Sequence, residues 1–143
     1  MRVFILMMVL VVVAGCQTLP KAQKVVFPEQ QIDAIVWTEE EKQKDFAIRS
    51  LYKGGSSSAV LMLMNANEPP HYHDYHDLSA TIISGHAAIN YKDRKIELHP
   101  GDAIFIPKGT YHWAERLSDG PVVVFAVFSP AFDGTDRRMA DEE

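Results

Sequence analysis

The chain has a single cysteine, Cys16, among its 143 residues. No intramolecular disulfide can form, and CxxC redox chemistry and clusters of thiolate metal ligands are excluded with it. Long hydrophobic runs are equally scarce. The longest, residues 3–13, is too short at 1.5 Å per residue to span a bilayer comfortably, and it reads as a signal rather than a permanent helix. Basic charge is also in deficit, with 14 Lys and Arg against 19 Asp and Glu and a formal net charge of −5. No basic stripe exists beyond the Arg137-Arg138 pair, which argues against a nucleic-acid partner. No convincing amphipathic helix or internal repeat is present. The charged clusters Glu39-Glu40-Glu41-Lys42 and Asp141-Glu142-Glu143 read as solvated surface, with no more than a helical turn over 39–44. What remains, a chain that is 47% hydrophobic, suits one compact domain.

At the amino end, Met1-Arg2 is a short basic start and the apolar run closes in Val13-Ala14-Gly15-Cys16. That sequence resembles the lipobox of bacterial lipoprotein signals. The resemblance implies a lipoprotein signal peptide over 1–15, a cut before Cys16, and lipidation of Cys16 at its thiol and its new amino terminus. Several acyl chains make such an anchor durable, where one alone holds marginally. The implied location is a bacterial membrane on its non-cytoplasmic side. Gln17 in place of Asp resembles the lipoproteins sorted to the periplasmic face of a Gram-negative outer membrane. The competing reading is a cleaved secretory peptide with an incidental cysteine. Residues 16–31, with Pro20, Pro28 and scattered Lys and Gln, read as a flexible tether.

From residue 32 onward the apolar runs are short and punctuated. Residues 35–37 are followed by 46–52, then Lys53-Gly54-Gly55-Ser56, then 59–64. Residues 65–70 break the chain; 78–84 precede Gly85, and 87–91 precede the Asp93-Arg94 turn. Residues 96–98 end at His99-Pro100-Gly101-Asp102, 103–106 at Pro107, 111–116 at Ser118-Asp119-Gly120, and 122–128 at Pro130. Many short strands at regular spacing predict an all-β sandwich or small barrel over 32–130 in a single domain. The run 122–128 is apolar without alternation, which places it centrally with both faces covered. Residues 131–143 form an acidic tail that either folds over the barrel or hangs free, and the isolated Phe132 favours partial docking.

Three of the six histidines fall within Pro69-Pro70-His71-Tyr72-His73-Asp74-Tyr75-His76-Asp77. On an extended segment side chains alternate, so His71 and His73 point the same way. Two converging imidazoles make half of a metal site, because neutral ring nitrogens ligate Zn, Cu, Fe, Mn or Ni. A second stretch supplies the partner. Pro100-Gly101-Asp102 turns the chain, residues 103–106 form a strand, and Pro107-Lys108-Gly109 turns it back, with His112 early on the return. In a small closed barrel His112 faces the pair, and three imidazoles leave open positions for water or substrate. Tyr72 and Trp113 alternate with these residues and belong to the outer face. Tyr75 and Tyr111 either line the mouth or support it. His86 and His99 read as surface residues.

The two stretches resemble the paired motifs of the cupin superfamily. The first, His-x-His, three or four residues, Glu, six residues, Gly, is matched by His71, His73 and Gly85. The second, Gly, five residues, Pro-x-Gly, two residues, His, three residues, Asn, is matched by Gly101, Pro107, Gly109 and His112. The resemblance implies a cupin-type double-stranded β-helix, or jelly-roll, barrel with a metal inside. Leu78 stands at the family's Glu position and Arg116 at its Asn position. His76, which shares Leu78's inward parity, is one substitute for the missing ligand, and Asp77 is another if a bulge turns it inward. A site dominated by nitrogen donors and filled outside the cytoplasm favours Zn, Cu, Mn or Ni over Fe. Two functions fit: a metal-dependent enzyme of dioxygenase or isomerase type acting on a small molecule, or a non-catalytic periplasmic binding or sensing module. The sequence leaves a homodimer open.

Overall fold

The computed structural model describes residues 25–27, 30–32 and 36–140. The apolar run 3–13, Cys16, residues 17–24 and the tail end 141–143 lie outside the described residues. The described residues belong to two units, Met1–Ile35 and Val36–Glu143. In the first, β1 (Val25–Phe27) pairs antiparallel with β2 (Gln30–Ile32), a short hairpin that begins in the stretch 16–31 read as a tether and ends one residue beyond it. No helix among the described residues is long and apolar enough to cross a membrane.

The second unit opens with the single helical turn α1 (Glu39–Lys42). Thr38 caps it: the Thr38 Oγ1 accepts from the Glu41 N–H, and the Glu41 carboxylate accepts from the Thr38 N–H. Residues 36 and 37, expected in a strand, are irregular. Trp37 is buried, with the Arg49 guanidinium 4.5 Å over its ring, while Arg49 bonds the Val36 carbonyl and the Glu41 carboxylate. Side-chain packing fixes this segment where a ladder was expected.

The remaining strands are β3 (Phe46–Lys53), β4 (Ser58–Met64), β5 (His71–His73), β6 (Asp77–Ser84), β7 (Ala87–Asn90), β8 (Lys95–Leu98), β9 (Ala103–Ile106), β10 (Trp113–Arg116), β11 (Val122–Ser129) and β12 (Arg137–Met139). One sheet runs β3-β4-β11-β6-β9 and another β10-β7-β8, all antiparallel. β11 lies between β4 and β6 with Val122, Val123, Val124 and Ala126 buried, as its unbroken apolar run predicts. The inner faces of both sheets meet in one core: Met64, Ile82, Ile106, Val124 and Ala126 from the larger, Ala87, Ile89, Leu98 and Ala114 from the smaller. This is the jelly-roll barrel the two motifs imply.

Two glycines hold the frame of the site. Gly85 has φ +85, and a Cβ there would sit 2.8 Å from the Pro121 carbonyl oxygen, so both torsion and space demand glycine. Gly109 has φ +72 in the turn closed by Thr110 N–H to Pro107 O at 3.2 Å, the positive φ of a type II turn. The Gly109 N–H donates to His73 O at 2.7 Å, tying the turn to the histidine strand.

The tail folds over the barrel. β12 pairs antiparallel with β5, setting Arg137 opposite His73, Arg138 opposite Tyr72 and Met139 opposite His71. Arg138 adds an ion pair to Asp74 at 2.9 Å and lies 4.1 Å over the Tyr72 ring.

Candidate metal centre

The extended backbone of β5 projects His71 and His73 to one side, where both are buried with ring centroids 5.0 Å apart. His112 arrives on the chain returning from the Pro107 turn. Its backbone exchanges two hydrogen bonds with His71, each 3.0 Å, so the two residues face each other directly. The His112 ring lies 4.5 Å from His71 and 5.7 Å from His73, and one ring nitrogen from each of the three residues lies within 4.8 Å of the others.

Each Nδ1 is already committed. His71 Nδ1 meets the Pro69 carbonyl, His73 Nδ1 the Asp136 carboxylate and His112 Nδ1 the Thr110 carbonyl, each at 2.9 Å. These oxygens can only accept, so each Nδ1 carries a proton, and in the neutral ring each Nε2 keeps its lone pair. That is the tautomer a metal-ligating histidine needs. Buried His112 Nε2 has no hydrogen-bond partner among the described residues. A buried acceptor left without a partner costs about 1–3 kcal/mol, and a metal ion would remove that deficit. The donor set therefore fits a transition metal.

Electrostatics hold two of the imidazoles, those of His71 and His112, neutral. Burial, with Arg137 adding to it, pushes the His71 pKa down to about 3, and burial lowers that of His112 as well. Phe128 and Phe132, stacked at 4.7 Å, present their rings edge-on to His73.

Of the other residues read from the sequence, Leu78 faces the cavity beside the imidazoles, together with Ala80 and Ile82, as strand parity predicts. His76 is buried, but it lies outside the group of three. Its Nδ1 is bound to the Asp136 carboxylate and its Nε2 lies 3.2 Å from the Ala131 carbonyl, so both ring nitrogens face oxygen acceptors. Asp77 turns away to accept from the Lys108 N–H at 2.9 Å, bracing the Pro107 turn. Arg116 spends its guanidinium on the carbonyls of 118–120. Tyr72 packs edge-on against Tyr111 at 5.5 Å, Tyr75 is exposed, and His86 and His99 stack on each other near Glu97 and Asp102.

Three site residues escaped the sequence reading. Asp136 accepts from His73, His76 and the Tyr75 N–H at once. Burial pushes its carboxyl up, but these hydrogen bonds outweigh it and leave the pKa below the usual carboxylate range. Glu68 and Arg137 line the cavity 3.8 Å apart. Burial raises the Glu68 carboxyl against the opposing pull of Arg137. No periodicity marked these residues; the one available signal was the basic pair Arg137-Arg138 in an otherwise acidic tail.

The Cupin domain family model matches residues 60–128, which contain all three histidines. An uncharacterised protein of Aquifex aeolicus (strain VF5) is 33% identical over 107 residues, covering 75% of this chain and 88% of that protein. Among solved structures, KdgF from Halomonas sp. is similar with a TM-score of 0.57 at 26% identity, over 62% of this chain and 82% of that one. The polyketide cyclase RemF from Streptomyces resistomycificus gives a TM-score of 0.59 at 21% identity, over 68% and 72% of the two chains, a likeness of fold.

Proposed function

Because the chain belongs to the cupin superfamily, we propose that it is a metal-dependent cupin that takes a small molecule into the cavity beside His71, His73 and His112. The observation that carries this reading is the common tautomer of the three imidazoles, with every Nδ1 tied back and every Nε2 left free. A bound divalent ion supplies Lewis-acid polarisation of a ligand oxygen or, if redox-active, oxygen activation. The protein's own part is to fix the rings, keep those of His71 and His112 neutral, and wall the ligand with Leu78, Ile104, Phe128 and Phe132 so that bulk water is excluded. Nitrogen donors favour Zn or Cu, with Mn or Ni more weakly held, over Fe. Metal analysis of protein purified from its native envelope tests this, with about one Zn or Cu per chain expected. Predominant iron on which activity depends would overturn the metal assignment.

A second reading, a non-catalytic binding or sensing module, is favoured by Leu78. The family's carboxylate is absent there, and no other carboxylate among the described residues joins the three imidazoles within ligand distance. Oxygen uptake and substrate turnover by the metal-loaded protein separate the two. Leu78→Glu probes the same point: its side chain enters the cavity beside the imidazoles and adds a hard oxygen donor. Affinity for Mn(II) should rise about tenfold, with a smaller gain for Zn(II). Unchanged Mn(II) affinity in a folded variant would show that position 78 no longer reaches the metal.

We place the protein outside the cytoplasm, held to a bacterial membrane through Cys16, on the strength of Val13-Ala14-Gly15-Cys16. The mature chain should begin at lipidated Cys16 and sediment with membranes, and Cys16→Ala should abolish both. A soluble, unacylated mature form of the wild-type chain in its native host refutes the assignment.

A further inference from the structure

The cavity beside the imidazoles measures about 150 Å³, and its walls are mainly aliphatic, with Val60, Met62, Leu78 and Ile104 among them. Apart from the histidines, the charged side chains on its wall among the described residues are Glu68 and Arg137, neither of which the metal site uses. We propose that Arg137 anchors the carboxylate of a small monocarboxylic acid whose compact apolar body fills this cavity. The inference deepens the proposed function, since it rests on the reading of the cavity as a ligand site, but it does not depend on the metal.

The charge of Arg137 is incompletely matched. Glu68 Oε2 accepts from the Ala114 N–H at 3.2 Å, while its Oε1 stands 3.8 Å from Arg137 Nη2, an ion pair beyond hydrogen-bond reach. Arg137 Nη2 also lies 3.3 Å from His71 Nδ1, but that nitrogen's proton is directed at Pro69 O at 2.9 Å. Nδ1 cannot donate to the carbonyl and accept from the guanidinium together. The guanidinium thus has hydrogen-bonding capacity left at the wall, and its planar fork matches a carboxylate.

The rest of the cavity selects among anions. A sugar or other polyol would bury hydroxyls against aliphatic walls that offer them nothing, at a cost of about 1–3 kcal/mol for each one left without a partner. A dianion would meet one arginine and, beside it, the Glu68 carboxylate, so a single negative charge fits better. Size sets the body: a dry cavity of about 150 Å³ accepts a benzene ring. An aromatic or branched aliphatic monocarboxylate meets all three conditions.

Calorimetric titration of the full chain in detergent tests this with benzoate and its neutral counterpart benzamide, on both chelator-treated and Zn-loaded protein. Metal-free wild type should bind benzoate at least about tenfold more tightly than benzamide, the increment of a charge-assisted hydrogen-bond pair. Arg137→Gln should bring the two affinities to within about twofold, and Arg137→Lys, which keeps charge but loses the fork, should fall between. If Arg137→Gln does not fold, Arg137→Lys decides: a reduced preference supports the anchor, and an unchanged one overturns it. Equal binding of the two probes by wild type also overturns it. Zn binding without a benzoate preference sinks this inference and leaves the proposed function standing; the preference without Zn binding does the reverse.

Discussion

His112→Ala should lower Zn(II) affinity by more than about a hundredfold, since even the loss of a hydrogen bond to a ligand costs about 10–100-fold and here a ligand itself is removed. No substitute stands nearby. His76 is held through both nitrogens by Asp136 and Ala131, and Asp77 by Lys108. Apo stability should change far less. The substitution opens space at a fully buried position, but it also removes the unpartnered Nε2, a deficit of about 1–3 kcal/mol, and the two effects oppose each other. Thermal denaturation with and without Zn separates the terms. Wild type should gain about 4 kcal/mol at metal concentrations a thousandfold above its Kd, whereas His112→Ala at the same concentration should gain no more than about 1.4 kcal/mol. An unaltered Zn-induced shift in His112→Ala would mean the three imidazoles are not the site.

The parts of this site that were legible in the sequence are those governed by local geometry. Alternation along β5 is enough to put His71 and His73 on one side, and the Pro107-Lys108-Gly109 turn is enough to bring His112 back beside them. Parity along β6 likewise places Leu78, Ala80 and Ile82 on the cavity wall. The residues that escaped notice act over long separations. Asp136 reaches His73 across 63 positions, through a segment whose composition resembles solvated tail. Nothing in a tail's local pattern states which strand edge it will pair with. The open edge of β5 decides that, and it exists only once the barrel has formed. Trp37 shows the same limit on a smaller scale. Its apolar neighbours suggested a strand, but a guanidinium over the indole ring holds the segment without a ladder.

Asp136→Ala should damage both stability and metal binding, and the two effects can be told apart. The carboxylate is nearly inaccessible and receives three donors: His73 Nδ1, His76 Nδ1 and the Tyr75 N–H. Truncation strands all of them in a dry environment, and each buried donor left without a partner costs about 1–3 kcal/mol, so the expected loss is at least about 3 kcal/mol. Asp136→Asn keeps the shape and one acceptor but points an amide N–H at a donor, so its loss should be smaller. The metal effect follows from His73 alone. Without an acceptor at Nδ1 the ring is free to turn or change tautomer, and Zn(II) affinity should fall about 10–100-fold in protein that remains folded. His76→Ala is the control that separates packing from orientation. It removes a buried partner of Asp136 and should cost stability, yet the His73 Nδ1 to Asp136 contact survives and Zn(II) affinity should stay within about threefold of wild type. If His76→Ala and Asp136→Ala weaken Zn(II) binding equally, Asp136 does no more than hold the tail against β5. If only Asp136→Ala does so, the carboxylate sets the ligand, and the carboxy-terminal segment is part of the metal site.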